Sequence, residues 1–356
     1  MTTLQLSTPG IGTIGVSELA AHFDADPGYL AAATCGIAPR PTVAALQADL
    51  AGWSAGRADV AGYDAVVAAT RADFARLVGV GADRVAIGTV TSALVAQVAS
   101  GLPDGAEVLL AEGDFTSLVF PFLGGRLRVR AAPVTGLAAA ITPRTALVGF
   151  SLVQSATGEV ADGAAIARAA AACGTLTLVD LTQAAGVLPV DAGIFDATVC
   201  HAYKWLCAPR GVAFLTLSTA LVQRLEPLAP GWYAGADPWR SVYGTVMELA
   251  QDARRFDVSP AWQAFVGARA SLDLFADADV AALWQHAAGL GDDLCRGLGM
   301  AEQHQAIVTW PDPDGCQLAR LTAFGLRVSG RAGRIRAAFH VWNTTDDVAR
   351  VLDALG

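Results

Sequence analysis

Between residues 64 and 217 the chain alternates short, apolar, β-rich runs with longer stretches of helical period. Seven runs read as strands: VAIG (85–88), EVLLA (107–111), LRVRAAPV (127–134), TALVGF (145–150), TLTLVD (175–180), ATVCH (197–201) and GVAFLTL (211–217). Most are apolar throughout rather than alternately polar, the mark of strands buried on both faces. The Ala-rich stretches Ser92–Gly101 and Ala161–Cys173 between them predict helices. The pattern is that of an α/β fold with a mainly parallel sheet covered on both sides. Ligands of such sheets collect beyond the C-terminal strand ends. Residues 89–92, 114–115, 151–158, 180–183 and 201–204 fall at or just past those ends.

A segment rich in Pro, Gly and Trp, Pro227–Trp239, predicts a crossing loop. Helices are expected at about 260–276 and 279–298, then shorter strands and helices to Gly356. With 356 residues, the chain exceeds what one core usually supports. The expected division is a large α/β domain over 40–230 and a smaller α+β domain made of 1–39 and 231–356.

Composition narrows the class. With 53% hydrophobic and 16% charged residues the chain can bury a deep core, which argues against disorder. A net charge of −9 without a Lys/Arg run argues against nucleic acid as a partner. The uncharged stretch Val85–Pro103 is interrupted by Thr, Ser, Gln and Gly, so a strand end, a turn and a buried helix are expected there rather than a membrane span. The N-terminus lacks the basic region of a signal peptide. The six cysteines show no disulfide-like or CxxC spacing. A soluble protein of the reducing cytoplasm is expected.

One count changes the picture more than any other. Of the 24 basic residues, 23 are Arg and one is Lys, Lys204. A bias toward Arg could leave one surface lysine by chance, but Lys204 lies in CHAYKWLCAPRG, an apolar and aromatic context. Lysine does what arginine cannot: its amine loses a proton and forms a Schiff base. Pyridoxal 5′-phosphate (PLP) asks for such an amine, an anion at its ring nitrogen, a donor to its phenolate oxygen, a flat partner for its ring and donors around its phosphate. Asp180, at the end of TLTLVD, can serve as the anion; an isolated Asp at a strand end is otherwise a cap or turn residue.

The stretches FSLVQSATGEVADGAAIARAAAACGTLTLVDLTQAAGVLPVD (150–191) and CHAYKWLCAPRGVAFL (200–215) carry a resemblance. The pairing of VDxxQ with a downstream KWLxxPRG resembles the class V aminotransferase group of PLP-dependent fold-type I enzymes. That group includes cysteine desulfurases, kynureninases, isopenicillin N epimerase-like proteins and carbon–sulfur lyases. The resemblance implies fold type I, PLP on Lys204, and roles by position. Gln183 would contact the phenolate oxygen, and Val90 and Thr91 the phosphate at a helix start. Phe115 would stack on the ring, with Ser155 nearby, and His201 and Tyr203 would reach the phosphate. Arg336, in GRIRAAFHVWNTTDDV, would bind the substrate α-carboxylate through its planar fork. Trp232 and Ser259 would reach the phosphate of a partner subunit, which implies a homodimer with sites at the interface. The desulfurases' cysteine loop has no counterpart: Cys316, in DPDGCQLARL, reads as the start of a helix. An amino-acid substrate is expected, with no metal. The expected chemistry is β-elimination, as by a carbon–sulfur lyase on a cysteine conjugate. An aminotransferase or epimerase is the alternative, and a catalytically silent binding protein a third reading.

Overall fold

The computed structural model describes residues 13–356. The seven expected strands all form: β1 (Val85–Gly88), β2 (Glu107–Ala111), β3 (Arg128–Ala132), β4 (Thr145–Ser151), β5 (Leu176–Asp180), β6 (Ala197–His201) and β7 (Ala213–Leu217). They make one sheet in the order β1-β7-β6-β5-β4-β2-β3. The β3-β2-β4-β5-β6 block is parallel throughout, and β7 runs against both β6 and β1. The reversal follows from the link between β6 and β7, residues 202–212, which is too short to carry a crossover helix. Lys204 sits in that link.

Alternate strand residues feed two separate cores, as the pleat requires. Leu109, Val148 and Val179 pack on one side with Phe74 of the helix Val60–Leu77 and Ile166 and Ala170 of the helix Gly163–Cys173. Leu110, Leu147 and Leu178 pack on the other with Leu94, Val95 and Val98 of the helix Thr91–Ser100. Burial on both faces is why these strands lack polar alternation. The stretch 85–103 is β1, a turn and this buried helix. Among the described residues no helix is long and apolar enough to cross a membrane.

Strand β1 is a sheet edge, and its free backbone groups are met by a buried ion pair. Arg71 donates to Val85 O, and Asp257 Oδ1 accepts Ile87 N–H at 2.8 Å. The two side chains join through Arg71 Nη2 and Asp257 Oδ2 at 2.6 Å. Both are almost wholly buried, so the pair fixes the strand from which the chain enters the turn Thr89–Val90.

A second sheet, antiparallel, has the order β8-β10-β9, from β8 (Ile307–Pro311), β9 (Ser329–Arg331) and β10 (Arg334–Ala338). The N-terminal chain runs along it: Tyr29 bridges to Arg327 and Ala31 to Ala338, and Gly28 N–H donates to Asp347 Oδ1 at 2.7 Å. Thr34 and Cys35 thereby reach the first sheet, where Gly36 N–H donates to Tyr203 O at 2.9 Å. The expected later helices are Trp262–Ala276 and Val280–Gly297. Helices Arg40–Ser54 and Val60–Leu77 pack on Trp262–Ala276.

Candidate active site

The C-terminal strand ends surround a cavity of about 320 Å3, the size class of small-ligand sites. Beyond β1, Val90 is the N-cap of the helix Thr91–Ser100, with no side chain capping its first N–H groups. That helix start opens on the cavity through Val90, Thr91 and Ser92. Beyond β2, Asp114 shapes the turn that presents Phe115. Its Oδ1 accepts Phe115 N–H at 2.7 Å and the Ser151 hydroxyl at 2.5 Å, and its Oδ2 accepts Ser151 N–H at 2.7 Å. The ends of β2 and β4 are so tied together, while Phe115 stays 46% exposed on the cavity wall. Asp180 closes β5 and accepts Thr182 N–H at 2.8 Å.

Lys204 projects among these groups, its Nζ 5.3 Å from the centre of the Phe115 ring. Burial brings its ammonium down to a pKa of about 8; the charge of Arg336 adds to the drop and that of Asp180 opposes it. Asp180 moves the other way: burial pushes its carboxyl up, against the hydrogen bonds of Thr182. Burial, with Arg210 and Lys204 nearby, holds His201 neutral with a pKa of about 4. Its buried Nε2 has no hydrogen-bond partner, so a polar atom of a ligand is wanted there. Tyr203 lies between the His201 ring, 4.5 Å away edge-on, and the Arg210 guanidinium, 4.7 Å from its ring centre. Burial raises the Tyr203 phenol above its usual range, so it stays a donor at neutral pH.

Gln183 is held from three sides. Its Oε1 accepts Trp205 Nε1–H at 2.7 Å, and its Nε2 donates to Ala33 O at 2.9 Å and Ser155 Oγ at 3.2 Å. Arg336 stands behind Ser155 and is only 2% exposed. It donates to Ser155 O (2.5 Å), Ser155 Oγ (2.8 Å) and Thr34 Oγ1 (2.7 Å). All three acceptors are neutral, and Arg336 Nε has none. A buried guanidinium without a carboxylate is poised for an anionic ligand.

Nine of the residues singled out in the sequence therefore line one cavity: Val90, Thr91, Phe115, Ser155, Asp180, Gln183, His201, Tyr203 and Lys204. Arg336 adjoins it through Ser155. Trp232 packs instead against Tyr233 and Trp239, and Ser259 is exposed past the Arg71–Asp257 pair; neither lines the cavity of its own chain. The sequence reading missed Ser92, Ser117, Ser151, Thr182 and Arg210 on the wall. Each lies within two residues of a motif position or inside one, so the motifs could have been read more widely. Asp114 had only its strand-end position as a signal.

A family model described as aminotransferase class-V matches residues 63–327. The chain belongs to this family. It is 32% identical over 253 residues to a kynureninase of Deinococcus radiodurans, a match covering 67% of this chain and 61% of that protein, under two thirds of its length. It is 28% identical over 314 residues to an uncharacterised aminotransferase of Bacillus subtilis, covering 80% and 82%. Over 181 residues it is 35% identical to an isopenicillin N epimerase of Streptomyces clavuligerus, 46% of each chain. Among solved structures, the cystine C–S lyase C-DES in complex with its product cysteine persulfide superposes with a TM-score of 0.83 at 20% identity, covering 93% of this chain and 97% of that one. A cysteine desulfurase from Thermococcus onnurineus gives 0.80 at 18%, covering 92% and 94%. The fold is that of fold-type I PLP enzymes, and the family's cofactor is PLP.

The cavity fits that cofactor. It offers a buried amine, a buried carboxylate, an aromatic face, an unpartnered imidazole nitrogen and an uncapped helix start, at which anions are favoured. Cys316 opens the helix Cys316–Ala323, is exposed, and is absent from the cavity wall.

Proposed function

We propose that this protein is a PLP-dependent lyase that eliminates a β-substituent, a thiol in the first instance, from an amino acid. One observation carries the reading: the chain's single lysine is buried on the cavity wall with its ammonium brought down to about 8, so a usable fraction of neutral amine exists near pH 7. Bound PLP supplies an electron sink for charge that develops at the substrate α-carbon. Lys204 would hold the cofactor through Nζ and, once its amine is free, would take the substrate α-proton on that atom. Asp180 would keep a proton on the ring nitrogen, Gln183 would turn the Nε2 hydrogen now on Ser155 Oγ to the phenolate oxygen, and Phe115 would cover the ring. The Val90–Ser92 helix start, His201 and Tyr203 hold the phosphate. Arg336 exchanges its neutral acceptors for the α-carboxylate and so fixes which bond faces Lys204.

Elimination is favoured over epimerisation because neither ring beside Lys204 is a ready second base: Phe115 has no ionisable group, and burial raises the Tyr203 phenol above its usual range. The C–S lyase fold relative is in keeping with it. We also propose that the active unit is a homodimer in which Trp232 and Ser259 reach the partner's phosphate. The six unpaired cysteines support a cytoplasmic setting.

The test is an S-substituted cysteine offered without any keto acid. A lyase adds water overall and yields pyruvate, ammonia and free thiol through many turnovers. One stoichiometric turnover, rescued by added keto acid, makes the protein an aminotransferase instead.

A further inference from the structure

Trp205 follows Lys204 in the chain yet is 1% exposed and does not line the cavity. Its indole Nε1–H lies 2.7 Å from Gln183 Oε1. An indole N–H only donates, so the atom it meets must be the amide oxygen. A glutamine amide otherwise has two orientations, related by a flip, that exchange donor for acceptor. Here a flip would set an amide N–H against the indole N–H and the amide oxygen against the Ala33 carbonyl. Two buried mismatches would result, each leaving polar groups unpaired.

The indole is itself clamped. Its face stacks on His340, ring centres 5.3 Å apart and planes at 18°, and His340 stacks on Trp342 at 4.2 Å and 2°. His340 Nδ1 accepts Val341 N–H at 2.7 Å, which assigns the ring proton to Nε2, and that group donates to Trp205 O at 3.0 Å. Full burial keeps His340 neutral, its pKa lowered to about 4. No charge change in this stack accompanies ordinary changes of pH.

We propose that Trp205 is a positioning residue that locks the Gln183 amide so that only its N–H groups, never its oxygen, face the phenolate oxygen of the cofactor. The proposal rests on the reading that Gln183 makes that contact. One Gln183 Nε2 hydrogen stays on Ala33 O, and Arg336 Nη1 still donates to Ser155 Oγ; the other Nε2 hydrogen, which meets Ser155 Oγ in the cofactor-free chain, would turn to the phenolate oxygen. A donor there withdraws charge from the oxygen and weakens its hold on the proton it shares with the lysine nitrogen. The cofactor's visible band then changes form at a lower pH than it would without the donor.

The experiment is a pH titration of the visible band in PLP-loaded wild type, Trp205→Phe and Gln183→Leu. Phenylalanine keeps a stacking face against His340 but has no N–H. Gln183→Leu should raise the midpoint by about one pH unit. Trp205→Phe should raise it in the same direction, with cofactor stoichiometry unchanged. A wild-type midpoint in Trp205→Phe beside a shifted one in Gln183→Leu overturns the lock and leaves the reading of Gln183 standing. An unshifted Gln183→Leu overturns both. Should Trp205→Phe fail to fold, 15N spectra of Gln183→Leu decide the matter. Of the eight indole N–H signals, the Trp205 signal should lose its exchange protection, and eight unchanged signals refute the lock.

Discussion

Lys204 Nζ lies 5.3 Å from the centre of the Phe115 ring and 5.8 Å from that of Tyr203, so the chain's only side-chain amine has two aromatic neighbours. Borohydride reduction of the yellow holoprotein should bleach its visible band and fix the cofactor mass on the peptide containing Lys204. Lys204→Arg keeps a charge but cannot make the bond, and should lose the reducible band altogether. Peptide mass spectrometry checks both. A fully coloured, reducible Lys204→Arg protein would remove Lys204 from the site.

Asp180 shares the cavity wall with Lys204 without an ion pair between them, and burial pushes its carboxyl up. A buried carboxylate in want of a cation suits a protonated ring nitrogen. Asp180→Asn should fold and bind cofactor but lose roughly 10²-fold or more in turnover, measured as kcat on the best substrate found. Activity within a few-fold of wild type would leave Asp180 as a turn residue.

The strands TLTLVD and ATVCH are apolar because both their faces are buried, and apolar runs between helices are easily read. Lys204 was visible because every other basic residue counted among the 24 is arginine. Asp180 was marked by its place at the end of a strand, and Gln183 by a motif resemblance. Contacts between residues far apart in the chain were not legible: Asp114 with Ser151, Trp205 with Gln183, and Arg336 with Thr34 across 302 positions. Strand periodicity fixes which face a side chain takes but not which distant partner it meets. The reversal of β7 was readable in principle from the short 202–212 link, but the apolar pattern alone does not distinguish it from its parallel neighbours.

The Arg71–Asp257 pair should matter more to stability than to chemistry directly. Removing one partner leaves the other charge buried and alone, and here it also strips Ile87 N–H or Val85 O of its partner. Asp257→Ala should cost about 3–5 kcal/mol, read as a lower urea midpoint with little change in slope. Because β1 leads to the Val90 helix start, the surviving folded protein should also hold PLP more weakly, seen as faster loss of the visible band on dilution. A loss under about 1 kcal/mol would mean that water reaches the pair.

Removing the lysine should stabilise the protein freed of its cofactor, and the sign can be worked out. Folding lowers the Lys204 pKa from 10.5 to about 8 because the charged form is buried. Between those values the unfolded chain binds more protons than the folded one, so stability rises with pH through that window. Below about pH 8 the folded state carries the full cost of the buried ammonium, about 3 kcal/mol at 1.4 kcal/mol per unit. Lys204→Met, which fills similar space without charge, should therefore unfold at higher urea than the cofactor-free wild type at pH 7. The gap should shrink through pH 8–10.5 and vanish above it. Paired urea titrations at pH 7 and pH 10.5 measure this directly. A gap that is the same at both, or of opposite sign at pH 7, would show that the amine is solvated in the cofactor-free protein. Lys204 would then lack the depressed pKa on which its part as the base depends.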